Sequence, residues 1–166
     1  MNRLGTIFKA SLAVGVIAFV LEVAGYLLFT EAYGPFFSGP EGIGAGMLFG
    51  IKLLGACLVT AFFITVFFDF SYDSLPGGFL RKSINFSFII WALQVLPVSL
   101  RLLIAGSIKG EFFMLVAAQH YLISLILALV LSGIYIERKR KADEALQAKE
   151  EKAKGGESHE KSDITL

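Results

Sequence analysis

Residues 46–69 read GMLFGIKLLGACLVTAFFITVFFD, and this stretch decides the fold. Lys52 is its one charged residue before the final Asp69. An α-helix rises about 1.5 Å per residue, so about 20 apolar residues cross the hydrocarbon core of a bilayer. The stretch is long enough to cross once, and its composition is that of a transmembrane helix.

Three further stretches have the same character, at residues 10–32, 84–107 and 112–136. Segments rich in glycine, proline and polar residues separate the four stretches, which predicts short connections between neighbouring helices. The fold class that follows is all-α: an integral membrane four-helix antiparallel bundle over residues 1–136. Residues 137–166 form a charged cytoplasmic C-terminal tail.

The charges are distributed unevenly along the chain. Residues 137–166 contain eight of its 15 Lys and Arg residues and eight of its 14 Asp and Glu residues. The first part of the tail is rich in Ala, Glu and Lys, which predicts that the fourth helix extends into the cytoplasm. We expect Gly155–Gly156 to break that helix and the residues beyond it to be disordered.

Basic residues set the predicted orientation. Arg3 and Lys9 precede the first span, Arg81 and Lys82 precede the third, and residues 138–141 follow the fourth. Residues 33–45, between the first two spans, contain no Lys or Arg. The positive-inside rule then predicts a multi-pass inner-membrane protein whose N- and C-termini are both cytoplasmic.

Composition and motifs exclude several classes of function. A net charge of +1 argues against nucleic acid as a partner, and a single cysteine, Cys57, excludes a disulfide framework. His120 is the only histidine within the spans, because His159 lies in the tail. No hydrolase, metalloprotease, P-loop or dinucleotide motif occurs. We therefore expect a protein that is not an enzyme and holds neither a cofactor nor a metal.

Polar residues interrupt each of the four spans, and these are the candidate site residues: Glu22, Lys52, Gln94, Arg101, Gln119 and His120. Counted from the outer ends of the spans, the charged groups and the histidine lie about 9–15 Å deep. An ionisable group at that depth costs several kcal/mol unless it meets a partner or water. The sequence thus predicts one buried polar layer in the outer half of the membrane.

Helical spacing assigns these residues to faces. In the first span, one face carries Ser11, Gly15, Ala18, Glu22 and Gly25. Small residues beside Glu22 indicate that this face packs closely on another helix. In the third span, Gln94 and Arg101 share a face with Pro97, which we expect to kink the helix.

Several roles for these residues remain open. Glu22 is expected either to pair with Lys52 or Arg101 or to be a neutral carboxyl. Lys52 and Arg101 are also shallow enough to extend to the outer headgroups. The layer therefore serves either to fix helix register or to bind a proton or a ligand.

Residues 81–91, RKSINFSFIIW, are followed by Leu96-Pro97 and, in the fourth span, by Ser132-Gly133-Ile134-Tyr135. This pattern resembles small, uncharacterised bacterial integral membrane proteins of four helices. The resemblance implies a four-helix membrane fold and carries no activity.

Two function classes fit these features. The first is a non-enzymatic accessory protein or a bundle that binds lipid, a membrane-protein partner or another copy of itself. The second is an oligomeric transporter or proton-coupled carrier that uses Glu22 with Lys52, Arg101 and His120. The classes differ in whether Glu22→Gln abolishes a pH-dependent flux or only weakens stability.

Overall fold

The structure, a computed structural model, describes residues 3–29, 47–104 and 110–160. All regular structure within those ranges is helical, as the sequence predicts. The helices are α1 (Arg3–Leu28), α2 (Met47–Ser71), α3 (Phe79–Ile90), α4 (Leu96–Ile104) and α5 (Gly110–Glu160), and a π-helical segment, Trp91–Val95, joins α3 to α4. The predicted loop at 33–42, the connection at 106–109 and residues 161–166 lie outside the described ranges.

Three continuous helices are long and apolar enough to cross a membrane: Arg3–Leu28, Leu48–Ser71 and Gly110–Lys149. The predicted third span is also helical, but the π-helical segment divides it into shorter pieces. Large apolar side chains face outward, and Phe63 on α2 is 64% exposed. Small polar side chains such as Ser83 and Ser132 lie inside. The interior also contains large apolar residues such as Phe68 and Leu131, so the unusual feature is the extent of the exposed apolar surface, which is compatible with an apolar solvent.

The turn between α2 and α3 depends on a glycine. Gly77 has φ +93°, a left-handed conformation that L side chains rarely adopt, and a Cβ there would clash with the Arg81 side chain. Gly78 then caps α3, whose first hydrogen bond runs from the Lys82 N–H to the Gly78 carbonyl at 3.0 Å. Pro76, Gly77 and Gly78 thus reverse the chain between two helices.

Close contacts show that α1 runs antiparallel to α2. At one end Arg3 binds Asp69, and at the other the ring of Tyr26 contacts that of Phe49. Between them Gly15 lies so close to Leu58 that a Cβ would be 3.1 Å from the Leu58 Cα atom. α1 also packs against α5, and α5 packs against α3.

An aromatic cluster joins α2, α3 and α5 near the Arg3 end of the molecule. Phe68 is fully buried at its centre, with its ring centroid 4.5 Å from that of Phe86 and 5.2 Å from that of Tyr135. Both pairs are edge-to-face, the arrangement that aromatic quadrupoles favour. Beside the cluster, the Ser83 hydroxyl donates to Ser132 Oγ at 2.8 Å and links α3 to α5.

The π-helical segment ends two residues before Pro97. Proline lacks an N–H and crowds the preceding turn, and a π-helical turn is one way for a helix to absorb that change. The Trp91 indole N–H donates to the Ala117 carbonyl at 2.9 Å, which fastens this segment to α5. The predicted irregularity near Pro97 therefore takes the form of a π-helical turn.

α5 continues beyond residue 136 as one helix and includes Gly155 and Gly156. The predicted break at these glycines is wrong, because α5 ends at Glu160. Glycine costs only about 1 kcal/mol in a helix relative to alanine, so it weakens the structure without forbidding it. Ion pairs one turn apart support the exposed part, for example Lys141 with Glu137 at 2.7 Å.

Candidate functional site

A cavity of about 250 Å³ lies between α1, α2, the π-helical segment and α5. Much of its lining is apolar, including Leu53, Ile64, Ile90, Ile123 and Leu127. Its polar lining comes from three residues that the sequence singled out, Glu22, Gln94 and His120, together with Thr60 and Ser124. The cavity therefore combines an apolar body with a few polar groups, which is the usual composition of a small-molecule pocket.

Glu22 and His120 form the ionisable pair in this lining. Glu22 Oε1 lies 3.5 Å from His120 Nε2, and the two side chains are 22% and 29% exposed. His120 Nδ1 lies 2.8 Å from the Val116 carbonyl, which can only accept, so Nδ1 carries a proton. Nε2 is then the ring nitrogen that faces the Glu22 carboxyl.

The predicted face of α1 is confirmed by the structure. Ser11, Gly15, Ala18 and Gly25 are all buried, and Glu22 lies on the same side. Gly25 allows the Gln119 side chain to lie directly against the α1 backbone, because even a Cβ would overlap the Gln119 amide. Absence of a side chain at Gly25 thus brings Gln119 beside Glu22 and His120.

Three of the six candidate residues do not form a buried layer. Lys52, Gln94 and Arg101 are exposed, although Gln94 also borders the cavity. The prediction of one buried layer from all four spans is wrong in this respect. Among the described side chains, the ionic partner of Glu22 is His120 rather than Lys52 or Arg101.

Helix rotation explains the exposure of Lys52. The inward face of α2 is marked by Cys57, Ala61, Ile64 and Phe68, which are buried. At about 100° per residue, Lys52 is rotated by about 140° from Cys57 and lies off that face. The glycines near Lys52 misled the prediction, since a Cβ at Gly50 would meet nothing within 4 Å.

Arg101 is displaced by the π-helical segment. Ser87 is buried on α3, and uniform α-helical spacing would place Arg101 on the same side. A π-helical turn takes up about one residue more than an α-helical turn, which rotates the following side chains by about 100°. Arg101 is consequently exposed.

A second charged cluster lies at the opposite end of α2. The Asp69 side chain is 4% exposed, and it accepts from Arg3 Nε at 2.7 Å. Arg3 Nη2 lies 2.6 Å from the same carboxylate oxygen, and Arg138 Nη1 lies 3.3 Å from the other. One carboxylate on α2 thus binds guanidinium groups from α1 and α5.

Lys82 extends this cluster toward the turn after α2. Its ammonium donates to the Tyr72 carbonyl at 2.6 Å and lies 4.1 Å from the centre of the Tyr72 ring. Burial, followed by the nearby charge of Asp73, raises the pKa of the Tyr72 phenol, which therefore stays neutral at physiological pH. These contacts tie the start of α3 to the end of α2.

Sequence reasoning did not identify the Asp69 cluster as a site. The signal was present in Phe67-Phe68-Asp69-Phe70, where an acid follows two aromatic residues in the last turns of an apolar helix. Arg3 precedes the first predicted span, and Arg138 follows the end of the fourth predicted span by two residues. In an antiparallel arrangement these positions fall at the same end of the helices as Asp69, which is a recognisable basis for an interhelical ion pair.

No three His, Cys, Asp or Glu side chains come together as metal ligands within the described ranges. Comparison with known proteins finds no matching family model, curated protein or solved structure.

Proposed function

We propose that the protein is a multi-pass inner-membrane protein in which four antiparallel spans bind, without converting, a small amphiphilic molecule between them. Both termini then face the cytoplasm. The outward-facing apolar side chains and the three long apolar helices support insertion. The location of Arg3, Lys82 and Arg138 at one end supports the orientation, because basic residues favour the cytoplasmic side.

The observation that carries the binding function is the cavity bordered by Glu22 and His120. Its volume of about 250 Å³ is slightly below the common range of about 300–1,000 Å³ for ligand pockets, so the occupant is small. An apolar body fits the aliphatic lining, and a single polar or cationic group fits Glu22. The proposed role is binding alone, with Glu22 recognising that group.

Cys57 provides a test of this function, because it is the only cysteine and it borders the cavity. In reconstituted protein, benzylamine should slow the reaction of Cys57 with a small methanethiosulfonate reagent, whereas benzoate should not. Glu22→Gln should remove the protection by benzylamine. Lys52→Gln is the matched control, because Lys52 is exposed outside the cavity and its loss should leave protection intact.

The binding function is rejected if benzylamine, benzyl alcohol and benzoate all leave the labelling rate of the wild type unchanged. It is also rejected if benzylamine protects Glu22→Gln as well as it protects the wild type.

A second candidate function, a proton-coupled carrier, is favoured by the Glu22–His120 pair itself. It places two titratable side chains 3.5 Å apart within the predicted span, and such residues form the proton relays of carriers. Lys52 and Arg101 are exposed, so this version of the carrier depends on Glu22 and His120. Four spans are few for a monomeric carrier, which implies an oligomer.

Proteoliposomes containing a pH-sensitive dye separate the two functions. A carrier should dissipate an imposed pH gradient in the presence of its substrate, and Glu22→Gln and His120→Phe should both stop this flux. Lys52→Gln should not. A flux that survives in Glu22→Gln rules out the carrier, while protection of Cys57 by benzylamine without any flux supports binding alone.

A further inference from the structure

A polar pocket of about 400 Å³ lies over the buried Asp69 carboxylate, and we call it the Asp69 pocket. Its charged lining consists of Arg3, Asp69, Asp73, Arg138 and Lys139. Three cationic groups therefore face two carboxylates, which leaves an excess of positive charge. This pocket is separate from the cavity at Glu22, and neither function proposed above makes use of it.

Asp69 holds the two arginines in place without using all their hydrogen-bond donors. A guanidinium group carries five N–H donors in a fixed plane. Arg3 approaches Asp69 through Nε and Nη2, and Arg138 approaches through Nη1. The side chains of Arg3 and Arg138 remain 57% and 26% exposed, so each retains donors that Asp69 does not engage. A second anion with several oxygen atoms can bind to both.

An apolar groove of about 570 Å³ begins at the same Arg3–Asp69 pair and follows the outer surface of α1 and α2. We call it the α1–α2 groove, and its apolar lining consists of Leu4, Ile7, Phe8, Phe62, Val66 and Phe70. Residues 62 and 70 are about 12 Å apart along a helix, close to the thickness of the hydrocarbon in one leaflet, about 15 Å. The groove is thus long enough for most of an acyl chain.

We propose that the Asp69 pocket and the α1–α2 groove together bind one anionic phospholipid of the cytoplasmic leaflet. The phosphate contacts Arg3, Arg138 and Lys139, and one acyl chain lies in the groove. Arg3 and Asp69 border both spaces, so the headgroup and the chain of a single molecule meet at that point.

Two features favour a lipid over a soluble anion as the occupant. The first is the continuity of a cationic pocket with an apolar groove, because inorganic phosphate has no part that would fill the groove. The second is location: Arg3 and Arg138 mark the predicted cytoplasmic surface, where anionic headgroups are concentrated. The inference rests on the proposed membrane insertion and orientation, but not on any ligand at Glu22.

Native mass spectrometry of the purified protein released from micelles tests the proposal. The probes are phosphatidylglycerol, phosphatidylcholine of the same acyl chains, and inorganic phosphate. Phosphatidylglycerol should bind at least about fivefold more tightly than phosphatidylcholine. Arg138→Gln and Lys139→Gln should each weaken the binding of phosphatidylglycerol by a similar factor. Lys141→Gln is the control, since Lys141 pairs with Glu137 and does not line the pocket.

The groove is tested independently of the charges. Val66→Trp should fill the groove and weaken the binding of phosphatidylglycerol by a similar factor. Val59→Trp is the control, because Val59 is 60% exposed and lies outside the groove, and it should leave binding unchanged. If Arg138→Gln, which leaves Asp69 with Arg3 alone, does not fold, Lys139→Gln and Val66→Trp still carry the test.

Three results would overturn the lipid proposal: equal affinity for the two lipids, no effect of Val66→Trp relative to Val59→Trp, or full competition by inorganic phosphate at a similar concentration. Glu22→Gln should bind phosphatidylglycerol normally, so failure of the binding function at Glu22 leaves this result unchanged. Extraction of the protein from membranes by alkaline carbonate would instead refute the insertion on which both proposals depend.

Discussion

Asp69→Asn tests whether the buried carboxylate stabilises the helical assembly. Asn removes the charge and replaces one acceptor oxygen with an NH₂ donor, which then faces a guanidinium group. Breaking a buried ion pair costs about 3–5 kcal/mol, whereas exposed pairs contribute about 0–1 kcal/mol. Asp69 is almost fully buried but Arg3 is largely exposed and Arg138 is partly exposed. We therefore expect the free energy of unfolding to fall by about 2–3 kcal/mol.

Unfolding in mixed micelles of increasing dodecyl sulfate content, followed by far-ultraviolet circular dichroism, measures this change. Asp73→Asn is the matched control, because Asp73 is exposed four residues further along the chain and should alter stability by less than about 0.5 kcal/mol. Arg138→Gln should cost more than Arg3→Gln, since Arg138 is the less exposed partner. Equal effects of Asp69→Asn and Asp73→Asn would refute the assignment of Asp69 as an interhelical ionic centre.

Two further substitutions test the packing that positions the cavity. Gly15→Ala places a methyl group 2.7 Å from Leu58 Cδ2 and 3.1 Å from Leu58 Cα. The overpacking cost of about 1–3 kcal/mol should exceed the gain in helix propensity of about 1 kcal/mol, so the free energy of unfolding should fall. Gly55→Ala is the control, because a Cβ there meets nothing within 4 Å, and it should show no loss of stability in the same unfolding assay. Trp91→Phe removes the indole N–H bond to the Ala117 carbonyl, which should lower stability by about 1 kcal/mol and speed amide hydrogen exchange at residues 91–95. Unchanged exchange there would show that the bond does not hold the π-helical segment.

The sequence predicts the helices and the face of α1 because both follow from local rules. Length and apolar composition identify the helical stretches, and the three- and four-residue spacing of small residues places Glu22 on the inward face of α1. Of the six candidate residues, Glu22 and His120 come together as partners, and Gln119 packs against α1 at Gly25.

The exposure of Lys52 and Arg101 was not predicted, because depth along a helix says nothing about rotation around its axis. Lys52 lies at a suitable depth but on the outward side of α2. For Arg101, the inward direction of Ser87 does not predict its own direction, because the π-helical segment between them changes the rotation of the helix. Asp69 was overlooked for a related reason: it lies at the end of a span, where an isolated acid looks like an ordinary exposed terminus.

Rotation also separates the charges of the spans into two kinds. Glu22 and Asp69 are turned inward, and each meets a basic group from another helix, His120 and Arg3 respectively. Lys52 and Arg101 are turned outward near the ends of their helices, where, under the proposed insertion, long side chains would reach the headgroup region at little cost. The outward pair therefore needs no function to account for its presence. Under the proposed insertion, an acid with a side chain as short as that of Glu22 does not reach the surface, so it requires a partner, and His120 lies 3.5 Å from it at the edge of the cavity.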